Sequence, residues 1–355
     1  MELKITRVSD DAKRYKPKPE EKGFGLFYSD HMFLMDFRAN KGWSNPRIEP
    51  YRPFEIDPAA MVLHYSQGAF EGLKAYPTKD GRVLLFRPEL NMRRMSRTLS
   101  RICIPEFDEE FLLESIRELV KIDKDWIPTG QGESLYVRPT VIATEPHLGV
   151  RPATEYLFYV ITSPVGAYYP EGFSPVKIKV EENYVRSAVG GLGEAKASAN
   201  YAASLLAAQE AGKQGWTQVL WLDAAQRKYV EEVGTSNIFF VKDDVVITPK
   251  LTGSILPGIT RQSVLELCRE WNIPTEERQI DINEVTDGIN SGSVTEVFGT
   301  GTAAIVSPVS ELSYKGKSHI LPDPQPGPIS VRLFEELLSV QYGDKPDTRG
   351  WIVEV

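Results

Sequence analysis

"VGGLGEAKASANYAASLLAAQ", residues 189–209, sets one lysine, Lys196, in a run of glycine, alanine and serine, with Tyr201 five positions on. Two readings compete for that lysine. The first is a solvated loop cation, the common fate of lysine. The second is a nucleophilic amine, which needs a desolvated or cation-flanked setting that lowers its pKa. It also needs backbone small enough for a planar cofactor to lie against. Glycines 190, 191 and 193, with Ala195, Ala197, Ser198 and Ala199, supply that room. Read the first way, the stretch is a surface loop; read the second way, it leads into a helix of a cofactor-binding fold. The rest of the chain decides between them.

At 355 residues the chain is long enough for two domains of ordinary size. Its apolar fraction of 41% and charged fraction of 25% are those of a globular protein, so disordered and fibrous classes fall away. A net charge of -8 argues against nucleic acid or an anionic membrane surface as the main partner, though it leaves room for a local anion site. No run approaches the roughly 20 apolar residues of a membrane span. The start, "MELKITRVSDDAKRYKPKPEEKGFG", has no apolar core and does not read as a signal peptide. Two cysteines, Cys103 and Cys268, give neither a disulfide framework nor a metal pattern, which suits a reducing cytoplasm. His31, His64, His147 and His319 stand singly, without metal-ligand spacing. No metal site is expected.

Element signals place two α+β domains in series, over residues 1–164 and 176–355, joined by a loop at 165–175. That loop falls in "PVGAYYPEGFS", rich in Pro, Gly and Tyr. In the first domain "YLFYVITS" reads as a strand. "FDEEFLLESIRELVKID" reads as a helix, with Leu112, Ile116, Leu119 and Val120 at helical spacing and Asp108 as its cap. In the second, "TQVLWLD", "NIFFV" and "DVVITP" read as strands, and "NYAASLLAAQEAGKQG" and "TRQSVLELCREWN" as helices.

Four further segments bear on Lys196. "ILPGITRQSVLEL" runs from an expected apolar strand through Pro257 and Gly258 into a helix starting near Ile259 and Thr260, whose free N–H groups suit a phosphate. An ordinary capped loop is the alternative. "VFGTGTAAIV" places Gly299 to Thr302 after a strand, as an anion-binding turn or a plain tight one. "EEVGTSNIFFV" sets two carboxylates before a Gly-Thr. One of them, facing a pyridine nitrogen, would keep that ring protonated; otherwise they form a solvated acidic edge. On "SLYVRPTV", Tyr136 and Arg138 share one face of a strand, opposite Leu135 and Val137. They form either a polar surface or a guanidinium edge for a carboxylate.

Taken in order, "LHYSQGAFEGLKAY", "LFRPELNMRRM", "SLYVRPT", "AKASANYAASLLAAQEA", "QVLWLD", "EVGTSNIF", "ILPGITRQS" and "VFGTGTAAIVSPV" give the chain a resemblance. It is similar to the branched-chain amino-acid aminotransferases of the fold-type IV (D-amino-acid aminotransferase-like) pyridoxal-phosphate enzymes. The likeness runs from "FGLFYSDHM" at residue 24 to "ELLSVQYG".

That resemblance implies pyridoxal 5'-phosphate as cofactor. Lys196 would bond it covalently and then carry the proton between the amino acid's α-carbon and the cofactor. Tyr201 would hydrogen-bond the ring oxygen, and Glu232, rather than Glu231, would face the ring nitrogen, with Thr235 and Asn237 in support. The phosphate would fall to Arg94, Arg186, the backbone of Ile259 and Thr260, and Thr300. Thr302 and Ala303 would take the substrate's α-carboxylate. Phe24, Tyr65, Phe70, Tyr136 and Arg138 would line the side-chain pocket, with Leu148, Val150 and Tyr168 entering from a second subunit of a homodimer. The implied substrates are small molecules: L-leucine, L-isoleucine or L-valine, with 2-oxoglutarate and L-glutamate as the other pair, in a reversible ping-pong exchange. An apolar wall with one arginine serves both pairs in one pocket.

Two points qualify the likeness. Some animal relatives carry a Cys-x-x-Cys redox pair after "GTGTA", where this chain has Ala304-Ile305-Val306-Ser307, so no thiol switch is expected there. No organelle presequence is evident, which suits a bacterial-type cytoplasmic enzyme. A D-amino-acid transaminase or an aminodeoxychorismate lyase would share the lysine and phosphate parts, but would not be expected to keep "YVRPT" together with "LHYSQGAFEG". From another class, a noncatalytic binder of a phosphate-bearing metabolite would use the glycine-rich turns alone.

Overall fold

The structure, a computed structural model, describes residues 1–18, 21–166 and 173–355. The chain divides into two compact units. Unit 1 is Met1–Pro170 with Lys196–Ala199 and Ser339–Val355; unit 2 is Glu171–Ala195 with Asn200–Leu338.

Unit 1 is built on a nine-stranded sheet. Its strands are β1 (Lys4–Ile5), β2 (His31–Arg38), β3 (Gly42–Pro50), β4 (Gly68–Phe70), β5 (Leu73–Pro77), β6 (Val83–Phe86), β7 (Ser134–Ala143), β8 (Glu155–Val165) and the chain's last strand, β18 (Ile352–Glu354). They run β1-β3-β2-β8-β7-β5-β6-β18, with β4 also paired to β7. Helices α1 (Met61–Tyr65), α2 (Pro88–Arg101) and α3 (Glu109–Ile122) accompany it. In α3 the Asp108 carboxylate accepts from Phe111 N–H, satisfying one of the helix's unpaired donors. Leu112, Ile116, Leu119 and Val120 are buried, as their spacing predicts. They join the core formed with Phe33, Leu85, Met92, Met95, Leu99 and Phe158, each contributing on the order of 1.5–3 kcal/mol.

Unit 2 carries a second nine-stranded sheet. Its strands are β9 (Val176–Val180), β10 (Gln218–Leu222), β11 (Val230–Val233), β12 (Ser236–Lys242), β13 (Val245–Pro249), β14 (Thr275–Arg278), β15 (Val294–Gly301), β16 (Ile305–Tyr314) and β17 (Lys317–Ile320). The order is β11-β10-β9-β16-β15-β12-β13-β14, with β17 on β16. β11 also pairs with β12, so part of the sheet closes on itself. Helices in the second half of the chain are α4 (Ser198–Ala202), α5 (Leu205–Lys213), α6 (Ile259–Glu270), α7 (Ile282–Ser291) and α8 (Pro328–Gln341). Together the two units make an α+β protein.

Four sequence expectations differ from the structure. The helix expected over "NYAASLLAAQEAGKQG" is broken at Ala203–Ser204 into α4 and α5, where Ser204 Oγ donates to the Tyr201 carbonyl. A serine bonding back to its own turn competes with the helical pattern. Ile255 and Leu256 are buried, but the segment between β13 and α6 is a loop instead of a strand. Gly299, Thr300 and Gly301 are the end of β15, so the turn begins at Thr302. Finally, the last 17 residues group with unit 1, because β18 pairs antiparallel with β6. A returning C-terminal strand of three residues carries too little pattern to be read in advance.

Candidate functional site

Lys196 is anchored through its backbone from two sides. Its N–H donates to Thr98 Oγ1 of α2 at 3.0 Å, and its carbonyl accepts from Phe70 N–H of β4 at 3.1 Å. Ala197 continues the contact as an antiparallel bridge to Ala69. Ala195 and Ala197 are buried, so the small residues around the lysine pack backbone closely instead of leaving a loose loop. The side chain lies over the Phe70 ring, with Nζ 5.1 Å from the centroid.

The same unit holds the aromatic cluster the sequence marks. Phe24 meets Tyr136 edge to face at 4.9 Å. Arg138 donates from Nη2 to the Tyr136 hydroxyl at 2.9 Å, and its guanidinium lies 4.6 Å from the Phe70 centroid. One ring therefore carries two cations, Lys196 and Arg138, each drawn to its negative face. Arg138 Nε is buried with no hydrogen-bond partner among the described residues. A buried guanidinium donor left unused is costly, and an incoming carboxylate would satisfy it. Tyr65 donates its hydroxyl to the Leu148 carbonyl, while the Leu148 and Val150 side chains stand exposed, at 65% and 84%. Tyr168 lies outside the described residues.

Arg94 is buried on α2 and held by Glu71, Nε to Oε1 at 2.7 Å and Nη2 to Oε2 at 2.9 Å. Asn91 Nδ2 and Gly72 N–H complete the Glu71 carboxylate at 2.8 and 3.1 Å. A buried ion pair persists when its remaining lone pairs are satisfied in this way. Burial opposes charge on Glu71, but Arg94 and then Lys196 and Asn91 outweigh it and hold the carboxyl below its ordinary value. Sequence reasoning missed Glu71, Asn91 and Thr98. The signal was present for one of them: Asn91 and Arg94 are three apart on a helix and share a face, and a buried arginine there requires an acid nearby.

Unit 2 assembles the other expected residues around one row of its sheet. Glu232 of β11 stands opposite Asn237 of β12, which stands opposite Thr300 of β15. Residues directly opposite in antiparallel strands share a face, so the three side chains project together. Glu232, buried, forms a 2.6 Å ion pair with Arg186, also buried. Arg186 is fixed further by the carbonyls of Ser254 at 3.0 Å and Gly193 at 3.3 Å. Asn237 donates to the Leu256 carbonyl at 2.9 Å. Thr235 sits with Gly234 in the two-residue turn between β11 and β12, and Tyr201 lies in α4. Thr302 and Ala303 lie in the turn between β15 and β16. Glu231, beside Glu232, accepts the Ser254 hydroxyl instead; burial, opposed by that hydrogen bond, pushes its carboxyl above the ordinary value, with Asp223 adding to the rise.

The helix α6 begins on this row. A Cβ at its N-cap, Gly258, would stand 1.9 Å from Asn237 Oδ1, so only glycine lets the helix start so close. No side chain among the described residues caps that end, and the first-turn residues Ile259 and Thr260 are buried. Thr300 Oγ1 is also buried, with no partner among the described residues. An unpaired buried hydroxyl and an uncapped helix start are donors that suit a phosphate dianion, and the buried Arg186, paired with Glu232, brings a positive charge to the same unit. A carboxylate on the same row suits a protonated ring nitrogen. The residues present therefore fit pyridoxal 5'-phosphate.

Comparison with known proteins is consistent with this chemistry. The family model described as "Amino-transferase class IV" matches residues 68–312. The chain is 51% identical over 343 residues to "Branched-chain-amino-acid aminotransferase 2" of Bacillus subtilis (strain 168), covering 97% of this chain and 94% of that one. Among solved structures it is similar to the branched-chain amino acid aminotransferase of Escherichia coli, with TM-score 0.76 and 26% identity over 91% of this chain and 98% of that one. It is also similar to the branched-chain amino acid aminotransferase from Thermobaculum terrenum in its PLP-form (holo-form), with TM-score 0.76 and 25% identity over 91% and 97% of the two chains.

Proposed function

Because the chain belongs to the branched-chain-amino-acid aminotransferases, within the class IV amino-transferases, we propose that it transfers the amino group of L-leucine, L-isoleucine or L-valine to 2-oxoglutarate by the residues described above. The observation that carries this reading is the pair of cations on Phe70: a lysine amine for covalent chemistry and an arginine whose buried Nε has no partner among the described residues. Pyridoxal 5'-phosphate, when bound, supplies a ring that withdraws electrons from the bond to the α-hydrogen.

The chain's own residues do the rest. Lys196 would hold the cofactor through Nζ and, once freed from it, would carry the proton taken from the substrate's α-carbon. Glu232, paired with Arg186, would face the ring nitrogen and hold a proton there. Arg186, Thr300, Arg94 and the first-turn N–H groups of α6 would hold the phosphate, and Tyr201 would orient the ring oxygen, with Thr235 and Asn237 in support. The α-carboxylate is taken by the turn at Thr302 and Ala303. Phe24, Tyr65, Phe70 and Tyr136 receive the branched side chain, and Arg138 receives the distal carboxylate of glutamate or 2-oxoglutarate in the other half of the cycle.

The same reading makes the protein a homodimer, in which the exposed Leu148 and Val150 complete the partner's pocket. A cytoplasmic setting agrees with two free cysteines. No helix among the described residues is long and apolar enough to cross a membrane.

The test is the visible absorbance of the purified holoenzyme on adding L-leucine or, separately, D-alanine, with no oxo acid present. Conversion of the cofactor band by L-leucine alone is expected. Conversion by D-alanine alone would move the activity to a D-amino-acid transaminase, and a colourless protein that takes up no cofactor would leave only an anion binder.

A further inference from the structure

Glu231 is a buried acid that the proposed reaction leaves without a task. It adjoins Glu232 on β11, so the two side chains leave opposite faces of the strand. One Glu231 oxygen accepts the Ser254 hydroxyl, and the other is buried with no partner among the described residues. Ser254 is fully buried; its hydroxyl lies 3.0 Å from that of Thr252, and its carbonyl accepts from Arg186 Nη1 at 3.0 Å. The same carbonyl faces the glycine turn before Lys196: a Cβ on Gly193 would stand 2.0 Å from Ser254 O. A single serine thus ties the acid on one face of β11 to the guanidinium paired with Glu232 on the other.

We infer that Glu231 is a positioning residue: through Ser254 it fixes Arg186, and thereby sets how tightly the site grips the cofactor's phosphate. Arginine has a long side chain that loses much rotamer freedom when fixed, so preplacing it strengthens the bonds it makes. Two backbone carbonyls, from Ser254 and Gly193, do the preplacing, and one of them is held by a serine that donates to a carboxylate, a stronger bond than a neutral pair gives. Removing the acceptor loosens the loop at 252–254 and the Ser254 carbonyl that holds Arg186, while Lys196 keeps its bonds to Thr98 and Phe70. The inference rests on the assignment of Arg186 to phosphate made above.

The experiment compares pyridoxal 5'-phosphate with pyridoxal, which lacks the phosphate, as ligands of the full-length protein after removal of its cofactor, read by fluorescence titration. Glu231→Leu and Ser254→Ala should each weaken pyridoxal 5'-phosphate about tenfold and leave pyridoxal binding unchanged. Glu231→Gln, which keeps an acceptor for Ser254, should restore most of the loss. Equal weakening of both ligands, or no change in either, overturns the positioning role. If Glu231→Leu does not fold, Ser254→Ala alone decides by the same criterion. A wild-type protein that binds the two ligands alike overturns the phosphate assignment of Arg186 and the role of Glu231 with it, and leaves Lys196 to be judged by the absorbance test.

Discussion

The residues of unit 1 and those of unit 2 meet different chemical needs by different means. In unit 1 the working groups are side chains on aromatic faces: Lys196 and Arg138 over Phe70, with Phe24 and Tyr136 packed beside them. In unit 2 they are backbone and charge: a row of Glu232, Asn237 and Thr300 across three strands, an uncapped helix start at Gly258, and an arginine held by two carbonyls. Aromatic walls discriminate substrates by shape and tolerate more than one of them. Rigid backbone donors hold one invariant group and discriminate little. On the proposed reading, selectivity for the substrate side chain rests on unit 1, while unit 2 supplies most of the groups for the cofactor's ring and phosphate and unit 1 adds Lys196 and Arg94.

Substitutions can break that division. Lys196→Ala has the largest expected effect, a loss of about 10⁴-fold in transamination with the fold intact; steady-state rates with L-leucine, together with circular dichroism, check both halves of the statement. Glu71→Gln should destabilise unit 1 by about 3 kcal/mol, because it leaves Arg94 buried beside a neutral partner. Its pH dependence has a fixed sign. The folded Glu71 carboxyl titrates below its ordinary value of 4.5, so its stabilisation is present above that pH and is lost as the pH falls through the depressed folded value. Urea melts of wild type and variant should therefore converge in acid and stay apart at neutral pH. Convergence at neutral pH would contradict the ion pair.

Arg138→Met comes next. It should lower kcat/KM for 2-oxoglutarate about 100-fold and leave the leucine half-reaction within a few-fold of wild type, read by single-turnover absorbance with each substrate. Equal losses for both substrates would remove the assignment of selectivity to unit 1. The smallest effect is expected at Thr300→Val, which should weaken cofactor binding about fivefold without changing the ratio of rates for leucine and 2-oxoglutarate. A changed ratio would carry selectivity into unit 2 and blur the comparison.

What the sequence made legible follows the same line. Periodic elements were readable because burial repeats along the chain: α3 with its Asp108 cap, and β7, where Leu135 and Val137 are fully buried and Tyr136 and Arg138 turn the other way. The motif series also carried the fold and the set of candidate site residues. The partners of those residues were not readable. Glu71 lies 23 positions from Arg94, Thr98 lies 98 from Lys196, and Ser254 lies 68 from Arg186. Such pairings are fixed by tertiary packing, which leaves no local spacing to find. The break between α4 and α5 was missed for a smaller reason: alanine-rich sequence favours helix strongly enough to hide one serine that bonds back to its own turn.

On the proposed reading Lys196 is the residue that bonds the cofactor, held for that purpose by Thr98 and Phe70. The most direct test is borohydride reduction of the purified, cofactor-loaded protein followed by peptide mapping. One phosphopyridoxyl-modified peptide is expected, carrying the mass increase on Lys196, and no modification once L-leucine has been added in excess before reduction. Modification at another lysine, or none at Lys196 in a protein that retains the cofactor, would contradict it.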